Sequence, residues 1–249
     1  MSITIKTDEE VALMKEAGKI VAKTHELLES MVKPGISTFD LDKAAKEYIL
    51  SCKAIPSFKD YNGYPANICA SINEEVVHGI PSKKRILHEG DIISIDIGAY
   101  YKGFHGDAAR THGVGEISSE ARQLIDVTKQ SFFEGLKVIK EGNHLHQISS
   151  AIQKYVEENG YSVVRDLVGH GIGRELHEEP QVPNYKIIGR GPKLLKNMVI
   201  AVEPMINSGR YEVRWLGDNW TVVTMDGSLS AHYENTILIT EDGYELLTI

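Results

Sequence analysis

Two periods of apolar residues divide the chain into elements. Val11, Met14, Ile20 or Val21, Leu27 or Leu28 and Met31 recur at a spacing near 3.6, which predicts an amphipathic helix. Thr7 precedes it and Glu10 stands at the capping-box position, so the helix starts just after Thr7. Pro34-Gly35 ends it. Ser37 or Thr38 then caps a second helix, whose buried stripe is Leu41, Ala44 or Ala45, Tyr48 and Ile49. After Pro56 the chain is turn-rich, through Tyr61-Asn62-Gly63-Tyr64-Pro65. Strand-like runs follow over 91–99 and 104–114, helical patterns over 119–139 and 145–158, and the rest reads as strands and loops.

No proline- or serine-rich linker separates two bodies, so one domain over residues 1–249 is expected. A weak echo runs through it at an offset of 107 residues: Lys33 falls on Lys140, Gly35 on Gly142, Ala44 on Ala151 and Tyr48 on Tyr155. The same register lays Asp96 on Glu203, each at the end of an apolar run. Chance accounts for four identities; acid upon acid points further, to a two-fold-like α/β body with halves near 1–107 and 108–249.

The acids stand where acids are costly. Ile93, Ile95 and Ile97 alternate with Ser94, Asp96 and Gly98, which puts Asp96 on the face opposite the isoleucines. A hairpin centred between Tyr101 and Lys102 sets Asp96 across from Asp107, and like charges across a pair are destabilising. A solvated face explains one such acid. Two, flanked by Gly98, Gly106 and Ala108 with no base on that face, call for another explanation. Glu203 closes the apolar run Val199-Ile200-Ala201-Val202 before Pro204, and Glu234 opens Asn235-Thr236-Ile237-Leu238-Ile239. An unpaired carboxylate in such a setting costs on the order of several kcal/mol or takes up a proton. Four of them suggest a cation site, and an added imidazole favours transition metals over calcium. Among ten histidines, His170 in Gly169-His170-Gly171-Ile172-Gly173 is the best ligand candidate, because its glycines permit unusual dihedrals and close backbone approach. His177-Glu178-Glu179-Pro180 is not the His-Glu-x-x-His zinc helix. The residues alone reach a candidate metal site and stop there.

Composition narrows the setting. With 27 basic and 35 acidic side chains the net charge is −8, which argues against broad phosphate-backbone binding and direct nucleic-acid specificity. A hydrophobic content of 42% excludes wholesale disorder. Cys52 and Cys69 are too few for a disulfide framework, and no long apolar run suggests a membrane span. The first ten residues lack a signal-peptide layout, so a reduced cytoplasmic compartment is expected.

Taken together, Asp96, Asp107, Gly169-His170-Gly171-Ile172-Gly173, Glu203-Pro204 and Glu234 resemble the ligand pattern of the type I methionine aminopeptidases. The likeness spans nearly the whole chain and includes Tyr61-Asn62-Gly63-Tyr64-Pro65, Asn73-Glu74-Glu75-Val76-Val77-His78-Gly79-Ile80-Pro81 and His177-Glu178-Glu179-Pro180. It implies the pseudo-two-fold "pita-bread" fold, an α/β (α+β) body with a curved antiparallel sheet covered by helices. It implies a bacterial-style single-domain form, since the long amino-terminal extensions and the type II insertion are lacking.

The resemblance also implies two divalent metal ions, drawn from Co, Mn, Fe(II), Zn or Ni. Asp96 would chelate one, His170 and Glu203 the other, and Asp107 and Glu234 would bridge. Four carboxylates and a neutral imidazole around two divalent ions sum to zero charge. Glu203 is the implied proton shuttle, His177 the donor to the carbonyl oxygen and His78 the contact to the scissile amide nitrogen. Tyr61, Tyr64, Cys69, Leu176 and Trp220 match the methionine pocket, although each equally suits ordinary core. Leu176 departs from the common aromatic, and Phe58 replaces a cysteine seen in some relatives. The implied reaction is removal of the initiating methionine from nascent polypeptides with a small second residue. A monomer working near the ribosome is implied, though Arg210 and Arg214 form only a faint basic cluster. Two rivals stay open: a proline-directed peptidase of the same superfamily, and a non-enzymatic binding protein on this scaffold.

Overall fold

Capping sets the first two helices. In the computed structural model, which describes residues 2–249, the Glu10 amide donates to Thr7 Oγ1 and the Thr7 amide to Glu10 Oε2, so α1 (Asp8–Met31) starts as the pattern predicts. Ser37 rather than Thr38 caps α2 (Thr38–Ser51), with Asp40 as its reciprocal partner. Where the periodicity left a choice, Val21, Leu28 and Ala45 are the buried residues, while Met31 and Tyr48 are only half-buried.

Five strands follow: β1 (Ile55–Pro56), β2 (Cys69–Ile72), β3 (Glu75–Val77), β4 (Ile92–Tyr101) and β5 (Phe104–Gly113). Two helices come next, α3 (Ser119–Leu136), which stops short of the expected 139, and α4 (His146–Glu158). The remainder is β6 (Ser162–Val163), β7 (Gly169–Gly171), β8 (Glu178–Val182), β9 (Val199–Val202), β10 (Met205–Asn207), β11 (Val213–Trp215), β12 (Val222–Thr224), β13 (Ser230–His232), β14 (Asn235–Ile239) and β15 (Tyr244–Leu246).

Every strand pairing among the described residues is antiparallel. One sheet gathers β1, β2 and β5 around β4, and a five-stranded sheet runs β15-β14-β9-β7-β8. Ile93, Ile95 and Ile97 of β4 pack with Val21, Leu28, Leu41 and Ile49, so α1 and α2 cover that face. Leu124, Phe132, Ile148 and Ile152 of α3 and α4 pack with Ile200, Val202, Ile237 and Ile239, covering the five-stranded sheet. Each of these two sheets thus buries its apolar face under a pair of helices, and two three-stranded sheets, β13-β10-β6 and β11-β12-β3, complete the fold among the described residues. The expected boundary between halves at 107/108 falls inside β5.

The β4–β5 register differs from the expectation. Tyr101 pairs with Phe104, and the two-residue turn is Lys102-Gly103, both with positive φ (47° and 97°). Such a turn suits the strand twist, and it moves the hairpin centre one residue onward. Asp96 therefore lies across from Ala109, and Asp107 across from Gly98. The shift of two in pairing preserves the face, so the two aspartates become diagonal neighbours.

Candidate active site

The middle of one hairpin and the end of a second ladder bring the acids together. β4 supplies Asp96 and β5 supplies Asp107; Glu203 follows β9 and Glu234 precedes β14. Asn235 pairs with Val202, so the two glutamates meet at one end of that ladder, and His170 pairs with Ala201 beside them. The glycines around His170 serve close approach: a Cβ on Gly169 would lie 2.4 Å from the Ala201 carbonyl oxygen, and one on Gly171 2.1 Å from that of Glu179. Neither glycine adopts a positive φ, so the unusual dihedrals expected there are not what is needed.

A cavity of about 220 Å³ is lined by all five of these residues together with His78, His177, Tyr61, Tyr64, Cys69, Leu176 and Trp220. Every metal-ligand, histidine and pocket candidate named from the sequence lines it. Phe58 and Asn62 complete the lining.

His170 Nδ1 lies 2.8 Å from the Gly171 carbonyl oxygen, which can only accept, so that nitrogen carries the proton. Its Nε2 lone pair then faces inward, 3.6 Å from Glu203 Oε1 and 3.9 Å from Asp107 Oδ2. Burial holds the imidazole neutral, with its pKa down at about 3.

Among the described residues, no lysine or arginine forms an ion pair with these carboxylates. Asp96 Oδ1, Asp107 Oδ1 and Glu234 Oε1 are buried without any hydrogen-bond partner. The nearest guanidinium, Arg110, spends its donors on the carbonyls of Ala109, Glu234 and Thr248 and on Asn235 Oδ1. Burial pushes the Asp96 carboxyl up to about 7. Burial, then the neighbouring acids, drive Asp107, Glu203 and Glu234 well above the carboxylate range. Ligating atoms of Asp107, His170 and Glu234 lie within 4.8 Å of one another, as do those of Glu203, His232 and Glu234. A buried pocket of oxygen donors with the inward lone pair of His170 fits divalent cations.

The tyrosines of the opposite wall are hydrogen-bonded within the protein. His177 Nδ1 is 2.7 Å from the Tyr61 hydroxyl, and its ring sits 4.3 Å from that of His170. Tyr64 donates through its hydroxyl toward the Ile68 and Gly79 carbonyls, both at 3.1 Å, and meets Trp220 edge-on at 5.1 Å. Asp218 holds Trp220 by its amide. Cys69 pairs with Asp96 across β2 and β4, and burial pushes its thiol pKa up, keeping it neutral. His78, just past β3, has a φ of 59°, a left-handed conformation that costs a non-glycine residue energy and turns it toward Trp220.

Residues 12–241 match the model of metallopeptidase family M24. The chain belongs to metallopeptidase family M24, in its methionine aminopeptidase branch. It is 59% identical over 247 residues to the methionine aminopeptidase of Clostridium acetobutylicum, covering 99% of both chains. The crystal structure of methionine aminopeptidase from Thermotoga maritima superposes with a TM-score of 0.97 at 46% identity, covering 99% of both chains. The pita-bread fold of the M24 family, with antiparallel sheets under helices, is the one expected. A Xaa-Pro dipeptidase from Bacillus anthracis shares that fold at a TM-score of 0.79 and 27% identity, but the chain covers only 61% of it. The proline-directed alternative is the less supported one. Among the described residues, no helix is long and apolar enough to cross a membrane.

Periodicity passed over two residues of this neighbourhood. Asn62 sits in a 3₁₀ turn, where no period operates. His232 ends β13 at the approach to Glu234. Its one available signal was a histidine two places before a strand-opening acid.

Proposed function

We propose that this M24 chain hydrolyses the first peptide bond of polypeptides that begin with methionine and carry a small second residue. The observation carrying this reading is the single cavity shared by five metal-ligand candidates, two histidines and an aromatic, thiol-bearing wall. Asp96 would hold one divalent ion, His170 and Glu203 the second, and Asp107 and Glu234 would lie between them. Bound there, Co, Mn, Fe(II), Zn or Ni ions supply electrophilic pull on the carbonyl and lower the pKa of water, to about 7 in favourable zinc sites.

The protein's own groups do the rest. The substrate's free α-amino group binds on the Asp96 side, which limits cleavage to the terminus. Glu203 takes a proton from the attacking water and passes it to the leaving amine. With the Tyr61 hydroxyl as donor to His177 Nδ1, 2.7 Å away, the His177 proton would stand on Nε2, where it can bond to the carbonyl oxygen as charge develops. His78, its pKa lowered by burial to about 4 and hence neutral, contacts the scissile amide nitrogen. Tyr61, Tyr64, Cys69, Leu176 and Trp220 enclose the thioether, which aromatic faces and a thiol suit.

The chain acts as one catalytic domain of two halves, with Asp96 and Asp107 from the first and His170, Glu203 and Glu234 from the second. A monomer suffices, since one chain supplies every site residue. Its substrate is the nascent chain, which makes it a cytoplasmic enzyme working near ribosomes; its free thiols are consistent with that. Arg210 is paired with Glu212, so the basic cluster adds little support for direct ribosome docking. The test compares cleavage of Met-Gly-x and x-Pro peptides after metal loading. Selective x-Pro cleavage moves the chain to the proline-directed class; no cleavage with any of these metals makes it a binding protein.

A further inference from the structure

His232 stands behind the glutamates and has no part in the reaction above. It is 2% exposed, and its Nε2 lies 3.8 Å from Glu203 Oε2 and 3.9 Å from Glu234 Oε2. That nitrogen is buried and has no hydrogen-bond partner. The backbone beneath it is pinned: the His232 amide donates to Thr111 Oγ1, the Thr111 hydroxyl donates to the His232 carbonyl, and β13 pairs with β10 at Met205.

The oxygens divide between the two histidines. Glu203 turns Oε1 toward His170 and Oε2 toward His232. Glu234 turns Oε2 toward His232 and leaves Oε1 unpartnered. A nitrogen lone pair aimed at carboxylate oxygens is repelled, whereas an N–H is attracted. A movement of under about 1 Å brings Nε2 from its present distance into hydrogen-bond range of either oxygen. We propose that His232 is a positioning residue whose Nε2–H holds the outer oxygens of Glu203 and Glu234, leaving the inner oxygens directed at bound divalent ions. Such outer donors fix the orientation of metal-ligating groups.

This rests on the reading that the two glutamates bind metal, and cobalt uptake by the unmodified protein tests that reading separately. The experiment titrates Co(II) into metal-stripped full-length protein by calorimetry, beside His232→Gln and His232→Leu. Glutamine places an amide nitrogen near the position of Nε2; leucine fills the volume without a donor. His232→Leu should weaken Co(II) binding by about 10–100-fold, with His232→Gln within about threefold of the parent. In turnover, the leucine variant should lower kcat on a Met-starting peptide with KM unchanged. If His232→Leu does not fold, His232→Asn, too short to place its amide there, carries the same expectation. Parent-like Co(II) affinity in the donor-free variant overturns the proposal. So does equal loss in the glutamine variant, which would show that His232 ligates metal directly. A parent protein that takes up no cobalt overturns both this proposal and the reading beneath it.

Discussion

On the floor of the cavity, Asp96, Asp107, Glu203 and Glu234 are carried by strands or by the residues abutting them, and three of the four keep a buried oxygen with no partner. On the rim, Tyr61, His78, Leu176, His177 and Trp220 come from turns and loops; Tyr61 and His177 are tied to each other, and the Trp220 amide is held by Asp218. The floor is carried by strands and electrostatically unsatisfied; the rim is carried by loops and shaped. Unpaired groups on strands mark where a ligand's charge is needed, and the fold tolerates their cost there. The rim needs only complementary surface.

The comparison breaks first at the floor. Glu203→Gln should lower kcat by about 10²–10⁴-fold, the usual span for losing a positioned acid–base group, and should also reduce metal content. Stripped of metal, the same variant should melt higher than the parent, because one member of a repelling set has become neutral. A metal-free variant that melts lower would show that the acids are not in conflict.

At the rim, the largest expected effect belongs to His177. His177→Ala should cost about 10²–10³ in kcat, as does removal of a single oxyanion donor, while metal content measured by emission spectroscopy stays at the parent value. Unchanged turnover removes His177 from the mechanism and leaves the floor to act alone.

Much of the floor was legible because it sits on strands. Period two put Asp96 on the face away from Ile93, Ile95 and Ile97, and apolar runs isolated Glu203 and Glu234. The hairpin register was legible only to within its turn: Lys102 accepts a positive φ that side-chain type does not announce, and the pairing moved by two. His232 was invisible because it lies where β13 hands over to β14, and no period crosses such a reversal. The rim residues were reached through family resemblance, since loop conformation follows from tertiary contacts such as the bond between Asp218 and the Trp220 amide rather than from spacing. The helices fell between, with caps and stripes readable and only neighbouring choices such as Ala44 or Ala45 left to packing.

The floor's charge also predicts a pH signature without metal. Burial raises Asp96 from the unfolded value near 3.8 to about 7, so its protonated form is favoured by folding. That contribution is fully present below about pH 4 and is lost as pH rises through about 7, and the raised Asp107, Glu203 and Glu234 act in the same direction. The metal-stripped protein should therefore lose thermal stability from pH 5 to pH 8, whereas the metal-loaded protein, its acids neutralised by cations, should change less. Parallel melting curves for the two forms would show that the acids carry no conflict for metal to relieve.

The smallest effects should come from the thioether wall. Leu176 is 1% exposed and packs with Phe58, Tyr64 and Cys69 at one side of the cavity. Leu176→Phe adds bulk to a well-packed wall, and such overpacking costs about 1–3 kcal/mol where neighbours cannot move. Cys69→Ser keeps the size and removes the polarisable sulfur, whose contacts with aromatic or thioether groups are worth about 0.3–1.5 kcal/mol. Neither residue is one of the five metal-ligand candidates. Both changes should therefore raise KM for Met-starting peptides by less than about tenfold and leave kcat and metal affinity in place, because a pocket contact made equally in ground and transition states alters binding alone. Steady-state kinetics on Met-Gly-x peptides, alongside norleucine-Gly-x in which a methylene replaces sulfur, read this directly. If Cys69→Ser lowers kcat as strongly as His177→Ala, the rim is coupled to the chemistry and the division between shaped wall and charged floor fails.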